Sequence, residues 1–357
     1  MKVVIVGAGP AGLILALDLI KEGVNPLVLD KEPAIRSTPC GEACGTESLS
    51  RIPFDSEPYI CKYLKGAKFT YPDDTCSYLY KSSVTLYRTK WLRAMAQDIE
   101  ARGGQIRLNS EVVEINEDHV ILRDGERMDY DILVGADGPS SRITSHLGIK
   151  RQFATACQYK IAFDTSHMDY LEFHIDRRFS PDYSWIFPKE GIINVGTEGD
   201  FTKLDAFLAY KGLNKYKVLE KEAGILPISG IQRLAWHNIA LTGDAASINN
   251  PFSGGGLTPI VYASEILAKH ITNLKDYEKE VKKHPIGSPV LFKARQTLLK
   301  LADRDVICLL SFIIDVTHKR VKPAGISSFA KNLSLLTKPV ALINTFRAIR
   351  ISKTYGW

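Results

Sequence analysis

The chain has 357 residues, enough for two interleaved domains, and its content of 45% hydrophobic and 24% charged residues is typical of a globular protein. No stretch approaches the roughly 18–20 apolar residues of a membrane span, and the N-terminus begins as a strand rather than as a secretory signal, so we expect a cytoplasmic protein. The net charge of +6 comes from the tail, because residues 285–357 contain twelve Lys or Arg and three Asp or Glu.

The first thirty residues predict a βαβ unit. An apolar strand ends at Gly7, a helical stretch follows, and a second strand ends at Asp30. Gly7, Gly9 and Gly12 form a G-x-G-x-x-G motif, in which glycines allow a tight turn and a close approach of a pyrophosphate to the helix N-terminus. An acidic residue at the position of Asp30 is typical of ribose binding. The alternative is a glycine-rich turn without a ligand.

The rest of the chain leaves this sheet and returns to it. Residues 90–103 predict a helix, several strands follow, and residues 153–200 alternate between apolar and polar types with many aromatics, which predicts an antiparallel sheet. Residues 238–246 again predict a buried strand that runs into a turn. The remainder is helical and amphipathic, and we expect the functional site at the seam between the two parts.

Two further turns combine glycine and aspartate after apolar strands, Asp137-Gly138 and Gly243-Asp244. Each aspartate could also be an ordinary turn or helix-cap residue. Taken in order with the G-x-G-x-x-G motif, however, these turns resemble those of a flavoprotein group that includes aromatic hydroxylases, flavin-dependent halogenases and geranylgeranyl reductases.

This resemblance implies FAD as the cofactor and an α/β fold. The Rossmann-like FAD-binding domain, of the aromatic-hydroxylase type, would cover residues 1–150 and 230–275, with an inserted antiparallel-sheet substrate domain over 151–229 and a helical, basic C-terminal region over 276–357. The residues that it implies for FAD binding are Gly7, Gly9, Ala11, Gly12, Asp30, Cys40, Gly41, Ala43, Arg88, Val112, Asp137, Gly138, Asp244, Gly255, Gly256 and Leu257.

Two stretches resemble the geranylgeranyl reductases in particular, especially the archaeal enzymes that saturate prenyl chains of membrane lipids. "PCGEACG" at 39–45 is similar to a Cys-Gly-Glu loop of that family, and "DYSWIFPKEGIINVG" at 182–196 is similar to a segment that lines its prenyl cavity. Tyr183, Trp185 and Phe187 alternate and therefore share one face of a strand, where they could bind an apolar chain. The alternative is an ordinary sheet core.

The pair Cys40 and Cys44 admits three interpretations. A zinc site needs about four ligands, and no second Cys pair or His cluster stands at suitable spacing, so we predict no metal. A disulfide is conceivable in a thermophile. We favour a loop of small residues that crosses the edge of the isoalloxazine.

Reduction of an isolated C=C bond needs a hydride and a proton, and the residues of suitable type for the proton are Cys40, Glu42 and Tyr183. Because we see no second dinucleotide motif, we expect the electrons to come from NADPH or a small carrier such as ferredoxin.

The basic tail predicts either peripheral contact with the inner face of an anionic membrane or a solvated helical surface. Nucleic acid is not expected, since no recognition motif accompanies the charge.

Two other functions compete with a prenyl reductase acting on a lipid, a quinone or a prenyl diphosphate. One is a monooxygenase or halogenase, although halogenases carry Trp-x-Trp-x-Ile-Pro where this chain has Tyr183 and Phe187 in place of the first Trp and the Ile. The other is a flavin or prenyl-lipid carrier that performs no chemistry.

Overall fold

The computed structural model describes residues 1–317 and 338–356, with side chains to residue 314 and from residue 338 onward. Its two main sheets correspond to the two parts that the sequence predicts, and the α/β fold is confirmed. The helices are α1 (Pro10–Lys21), α2 (Thr46–Arg51), α3 (Arg88–Ala101), α4 (Arg142–His146), α5 (Phe201–Tyr210), α6 (Leu257–Lys269), α7 (Leu274–Lys283), α8 (Pro289–Lys300), α9 (Asp303–Thr317) and α10 (Pro339–Tyr355).

The first sheet is the nucleotide-binding type. It contains β1 (Val3–Val6), β2 (Leu27–Leu29), β6 (Gln105–Arg107), β10 (Ile132–Gly135), β16 (Ala235–Trp236) and β17 (Ile239–Leu241), in the order β16-β17-β10-β1-β2-β6. All neighbours are parallel except β16 and β17. Every residue of β1 is buried, as expected for a strand with helices on both faces of its sheet.

The second sheet joins segments from two distant parts of the chain. It contains β3 (Ala43–Gly45), β4 (Ile60–Thr70), β5 (Cys76–Leu86), β11 (Phe153–Ala162), β12 (Leu171–His174), β13 (Ser184–Lys189), β14 (Ile192–Glu198) and β15 (Val218–Pro227), in the order β15-β11-β14-β13-β12-β4-β5-β3. Its pairs are antiparallel except for β12 and β4, which are parallel.

This sheet differs from the prediction in two ways. Residues 43–86 contribute three of its strands, although the sequence placed everything before residue 150 in the FAD-binding domain. The sheet is also mixed rather than purely antiparallel. Both differences have one cause: the long β4–β5 hairpin pairs with β12 about a hundred residues later, and a pairing so distant leaves no local pattern.

A small sheet of β7 (Val112–Ile115), β8 (His119–Leu122) and β9 (Arg127–Asp129) precedes β10. At the other end of the chain, α8, α9 and α10 pack on one another through an apolar cluster that includes Leu298, Leu309 and Ile349. The described part of the C-terminal region is helical, as expected, while 318–337 and Trp357 lie outside the described residues. Within those described, no helix is long and apolar enough to cross a membrane.

The packing of α1 against α6 buries a carboxyl group. Asp18 is 5% exposed and accepts a hydrogen bond from the Ser264 hydroxyl at 2.5 Å. Burial raises the pKa of this carboxyl to about 7, and the hydrogen bond from Ser264 offsets only part of the effect. The folded protein therefore retains this proton to a higher pH than the unfolded chain does.

We expect Asp18→Asn to raise the melting temperature at pH 8 but not at pH 4. For Asp18, the free energy of unfolding falls as the pH rises from about 4 to about 7, because only the folded state keeps the proton in that window. An uncharged amide keeps the contact with Ser264 and avoids this loss, which is about 1–4 kcal/mol at pH 8. Thermal unfolding of both proteins across this pH range measures the effect. An equal shift at pH 4 and pH 8 would contradict the assignment.

Candidate active site

The glycine-rich turn has the close backbone contacts that its motif predicts. Gly7 has a φ of +110°, and a Cβ there would lie 2.3 Å from the Ala136 carbonyl oxygen. A Cβ on Gly12 would lie 1.9 Å from the carbonyl oxygen of Gly7, so α1 packs directly on the turn. Gly9 differs from both, because a Cβ there would meet no atom within 4 Å. The open side of this turn therefore lies at Gly9, at the uncapped N-terminus of α1.

The carboxylate of Asp30, at the end of β2, lies beside this turn. It accepts hydrogen bonds from Ala8 N–H at 2.6 Å and from Glu32 N–H at 2.8 Å. Val112 begins β7 close by, since the N–H of Ser110 donates to the Asp30 carbonyl at 2.7 Å. Asp30 thus braces the backbone of the turn while remaining half-exposed.

Three turns that are distant in the sequence meet at one edge of the first sheet. A Cβ on Gly243 would lie 2.5 Å from the Cβ of Ala11, so the turn after β17 sits against the first turn of α1. The Arg151 guanidinium donates to the carbonyl of Asp244 at 2.6 Å and to that of Pro139, in the turn after β10, at 2.7 Å. The predicted convergence of the glycine and aspartate turns is therefore present in the structure.

Several polar atoms at this edge have no hydrogen-bond partner within the described residues. Arg88 Nε and Asp137 Oδ1 are buried and unpaired, and no hydrogen bond reaches the Asp244 carboxylate. Burial raises the pKa of Asp244 to about 6, against the opposing effect of Arg151 and Arg88. Buried polar groups are rarely left unpaired in a native protein, so the arrangement fits a polar ligand such as the ribityl and phosphate parts of FAD. Asp137 uses its other oxygen to accept from Arg142 N–H at 2.8 Å.

The loop formed by Cys40, Gly41 and Glu42, here called the 40–42 loop, is held from the second sheet. Gln158 of β11 donates to the Cys40 carbonyl at 2.8 Å, and Asn194 of β14 donates to the Gly41 carbonyl at 3.2 Å. Both amide side chains are buried. Since a buried carbonyl needs a donor, these two contacts fix the path of the loop where it crosses from one sheet to the other.

Glu42 is the third point of attachment. Its carboxylate forms a buried ion pair with Lys189 at the end of β13, and Lys160 lies 4.0 Å from it. Its backbone has a φ of +61°, an uncommon conformation for a residue other than glycine. Glu42 therefore anchors the loop, and the structure gives it a positioning contact rather than a free carboxyl group.

The two cysteines near this loop have different surroundings. Cys40 is half-buried, with Arg88 Nη1 at 3.4 Å and Glu42 N–H at 3.3 Å from its sulfur. Cys44 lies in β3, where burial raises the pKa of its thiol to about 12. Both are free thiols, which does not agree with a disulfide between them. No group of three or more metal-ligating side chains occurs among residues 1–317 and 338–356.

The aromatic row on β13 faces the 40–42 loop. A Cβ on Gly41 would lie 2.7 Å from the Phe187 ring and 3.9 Å from Trp185 Nε1, so only glycine lets the loop approach this closely. Phe173 of β12 packs edge-on against Phe187 at 5.1 Å and against Tyr183 at 5.2 Å. Phe187 is buried, whereas Tyr183 and Trp185 are half-exposed. The row thus forms one wall of an apolar site beside the loop, and Ala43 packs on the same cluster.

Tyr183 also contacts the segment before α6, residues 250–256, here called the glycine loop. Its hydroxyl donates to the Ser253 carbonyl at 2.8 Å, and a Cβ on Gly254 would lie 2.5 Å from that hydroxyl. The loop continues through Gly255 and Gly256 to Leu257, and the N-terminus of α6 has no side-chain cap. A helix N-terminus whose first N–H groups have no intrahelical partner is suited to an electron-rich ligand edge.

Several site residues were not predicted from the sequence. Arg151, Gln158 and Asn194 join the turns and loops described above; Gln158 and Asn194 lie on strands, whereas Arg151 lies two residues before β11. The position of a polar residue inside the apolar run "IINVG" is the signal that could have identified Asn194.

We expect Gly9→Ala and Gly12→Ala to separate cofactor binding from folding. A methyl group at Gly12 meets the Gly7 carbonyl, so Gly12→Ala should lower the stability of the FAD-free protein by about 1–3 kcal/mol. Gly9→Ala meets no protein atom and should leave that stability unchanged while weakening FAD binding by about tenfold or more, because the methyl occupies the approach to the helix N-terminus. Thermal unfolding without FAD and flavin fluorescence titration measure the two effects. FAD binding by Gly9→Ala at the wild-type affinity would contradict this placement.

Comparisons with known proteins agree with this geometry. Residues 1–50 match the family model described as an FAD binding domain. Digeranylgeranylglycerophospholipid reductase of Methanosarcina acetivorans is 29% identical over 298 residues, which is 74% of this chain and 73% of that protein. The protein of the same name from Methanosarcina mazei is 26% identical over 367 residues, covering 89% of this chain and 90% of that protein.

Among solved structures, a geranylgeranyl bacteriochlorophyll reductase-like protein from Thermoplasma acidophilum superimposes with a TM-score of 0.78. It covers 93% of this chain and 95% of its own, and at 23% identity it shows a shared fold. The resemblance inferred from the sequence motifs is thereby confirmed: this chain is an α/β flavoprotein with an FAD-binding domain, and it is similar over most of its length to the digeranylgeranylglycerophospholipid reductases.

Proposed function

We propose that this protein is an FAD-dependent reductase that saturates C=C bonds in prenyl chains of membrane lipids or their precursors. The observation that carries the proposal is the meeting of the three FAD-type turns with an aromatic wall across the 40–42 loop. The similarity to proteins named digeranylgeranylglycerophospholipid reductase over most of the chain supports the same reaction.

The chemistry divides between the cofactor and the chain. Reduced FAD, when bound, supplies a hydride. The aromatic row of Tyr183, Trp185 and Phe187 binds the prenyl chain by apolar contact, with about 0.8 kcal/mol for each buried methylene group. The same wall would shield a bound prenyl chain from water beside the 40–42 loop.

The second carbon of the alkene needs a proton, which balances the hydride to give a saturated bond. The Tyr183 hydroxyl is protonated at neutral pH, and burial raises its pKa further above the ordinary value. This hydroxyl donates to the Ser253 carbonyl in the glycine loop, and the Cys40 sulfur lies 3.4 Å from Arg88 Nη1. We assign the proton to one of these two groups rather than to Glu42, because Lys189 already engages the Glu42 carboxylate.

Anaerobic turnover tests the proposal directly. The purified protein, loaded with FAD and reduced with dithionite in the absence of oxygen, is mixed with a geranylgeranylated glycerophospholipid in detergent. We expect reoxidation of the flavin together with a mass gain of one H2 for each double bond reduced. Reoxidation only after oxygen is admitted, with an oxygenated or halogenated product, would favour a monooxygenase or halogenase. An unchanged lipid and a flavin that stays reduced would favour a carrier.

A matched pair of tryptophan variants controls for the role of the aromatic wall. Trp185→Leu removes a ring that faces the loop, and we expect it to lower kcat/KM by about tenfold or more. Trp236→Leu removes an exposed ring on β16, in the other sheet, and should leave turnover unchanged. Equal effects of the two variants would show that the wall of β13 does not bind the substrate.

For the reductant, we infer a donor that binds transiently, either NADPH or a ferredoxin. The described residues contain one parallel nucleotide-type sheet, which the FAD turns use, so a second dinucleotide has no Rossmann unit of its own. The rates at which NADPH and reduced ferredoxin bleach the bound flavin without oxygen distinguish the two donors.

We also propose that this protein acts at the inner face of the membrane, through its basic C-terminal region. On α10, Val340, Ile343 and Phe346 are 68%, 49% and 40% exposed, and they share a helical stripe with the exposed Arg347 and Arg350. An amphipathic surface of this kind suits an anionic bilayer. A groove of about 460 Å³ beside it, between α8 and α10, is lined by Lys293, Lys300 and Val340 among others.

Flotation with lipid vesicles tests the membrane contact. We expect the protein to float with vesicles that contain phosphatidylglycerol, less so at high salt, and not with neutral vesicles. Ile343→Glu should abolish flotation, whereas Leu219→Glu, at an equally exposed apolar site on β15, should not. Flotation of both variants at the wild-type level would contradict a docking role for α10.

A further inference from the structure

A buried cation in the C-terminal region contacts three segments of the site. Arg295 of α8 is 4% exposed, and its guanidinium pairs with Asp182, two residues before β13, and with Glu198 at the end of β14, at 2.6 Å for the latter. The nitrogen that pairs with Asp182 also lies 3.4 Å from the Pro251 carbonyl in the glycine loop. A planar guanidinium can satisfy partners in several directions at fixed angles, which an ammonium group cannot do.

Two of these contacts lie directly beside the contact between Tyr183 and the glycine loop. Asp182 precedes Tyr183 in the chain, and Pro251 stands two residues before Ser253, whose carbonyl accepts the Tyr183 hydroxyl at 2.8 Å. A Cβ on Gly254 would lie 2.5 Å from the same hydroxyl. The fit is therefore tight, and a small shift of either segment would break it.

The last helix holds the loop from its other side. Asn250 Nδ2 donates to the Ser352 hydroxyl at 2.8 Å, and the Ser253 hydroxyl donates to the Gly356 carbonyl at 2.6 Å. The glycine loop thus lies between α8 and α10, so both C-terminal helices contribute contacts to it.

The two carboxylates around Arg295 explain why this position requires a positive charge. Two carboxylates face one guanidinium in a buried place, and burial raises the pKa of Asp182 to about 6 even though Arg295 opposes this effect. Arg177, the next cation, pairs with Asp303 and donates to the carbonyls of α8. Removal of Arg295 would leave two partly buried acids without their direct partner, which is costly.

We propose that Arg295 is a positioning residue of the active site. By joining Asp182 to Pro251 it keeps the Tyr183 hydroxyl on the Ser253 carbonyl, and so keeps the glycine loop against the aromatic wall. The C-terminal helices therefore complete the site instead of only covering it. This inference rests on the proposed reductase function for its kinetic test and on FAD binding alone for its spectroscopic test.

A double-mutant cycle with the FAD-loaded protein tests the inference. Arg295→Lys keeps the positive charge but loses the planar guanidinium with its several N–H donors. Tyr183→Phe keeps the ring but loses the hydroxyl. We expect each to lower kcat by roughly 10- to 100-fold, the size expected for a displacement of about 1 Å, with a smaller change in KM. If Arg295 acts through Tyr183, the double variant should be no slower than the slower single variant. Arg102→Lys, the same substitution at an exposed position just after α3, is the matched control and should leave kcat unchanged.

A second readout does not depend on turnover. The visible absorption band of the bound flavin should shift in Arg295→Lys and in Tyr183→Phe in the same direction, and not in Arg102→Lys. Two results would overturn the proposal. One is a loss of kcat in the double variant that equals the product of the two single losses. The other is a flavin spectrum and a kcat in Arg295→Lys that equal those of Arg102→Lys. Should Arg295→Lys not fold, Asp182→Asn carries the same two tests, because it leaves Arg295 and Glu198 as a neutral buried pair. A failed lipid reduction with a shifted spectrum would reject the proposed function but not the positioning role.

Discussion

The active site depends on the buried ion pair between Glu42 and Lys189, which attaches the 40–42 loop to the second sheet. A buried ion pair contributes little by itself, since both charges lose their water, and it is stable only where neighbouring groups complete its hydrogen bonds. Here Gln158 and Asn194 hold the carbonyls of the two preceding residues from the same sheet. The 40–42 loop is thus held at three successive residues, which explains how Glu42 can keep a φ of +61°.

The glycines of the site follow from a second constraint, the close approach of backbones. Gly12 and Gly243 each leave no room for a Cβ, because α1 packs on the first turn and the turn after β17 packs on α1. Glycine is required at position 41 for a different reason, because the Phe187 ring occupies the volume that a Cβ would need. The first two glycines shape the place of the dinucleotide, and the third sets the distance between the loop and the aromatic wall.

The sequence was sufficient for the parts of the fold that rest on local patterns. The G-x-G-x-x-G turn, the aspartates after apolar strands and the alternating aromatics of β13 all have a period or spacing that survives without tertiary context. No local pattern indicated that residues 43–86 belong to the second sheet, because β4 pairs in parallel with β12 across a long connection. The roles of Gln158 and Arg295 were not predictable either, because a polar residue on a strand or helix is expected to face solvent until its partners are known.

An apolar wall alone binds a long chain without fixing which bond lies at the reacting atoms, because each methylene group contributes nearly the same free energy wherever it sits. Positional precision must then come from the parts that meet the wall. In this molecule those parts are the 40–42 loop, fixed by Glu42 and Lys189, and the glycine loop, fixed by Arg295 and by the end of α10. Both are held by buried polar contacts that reach across domains, so the two sheets and the C-terminal helices act as one frame around the reacting bond.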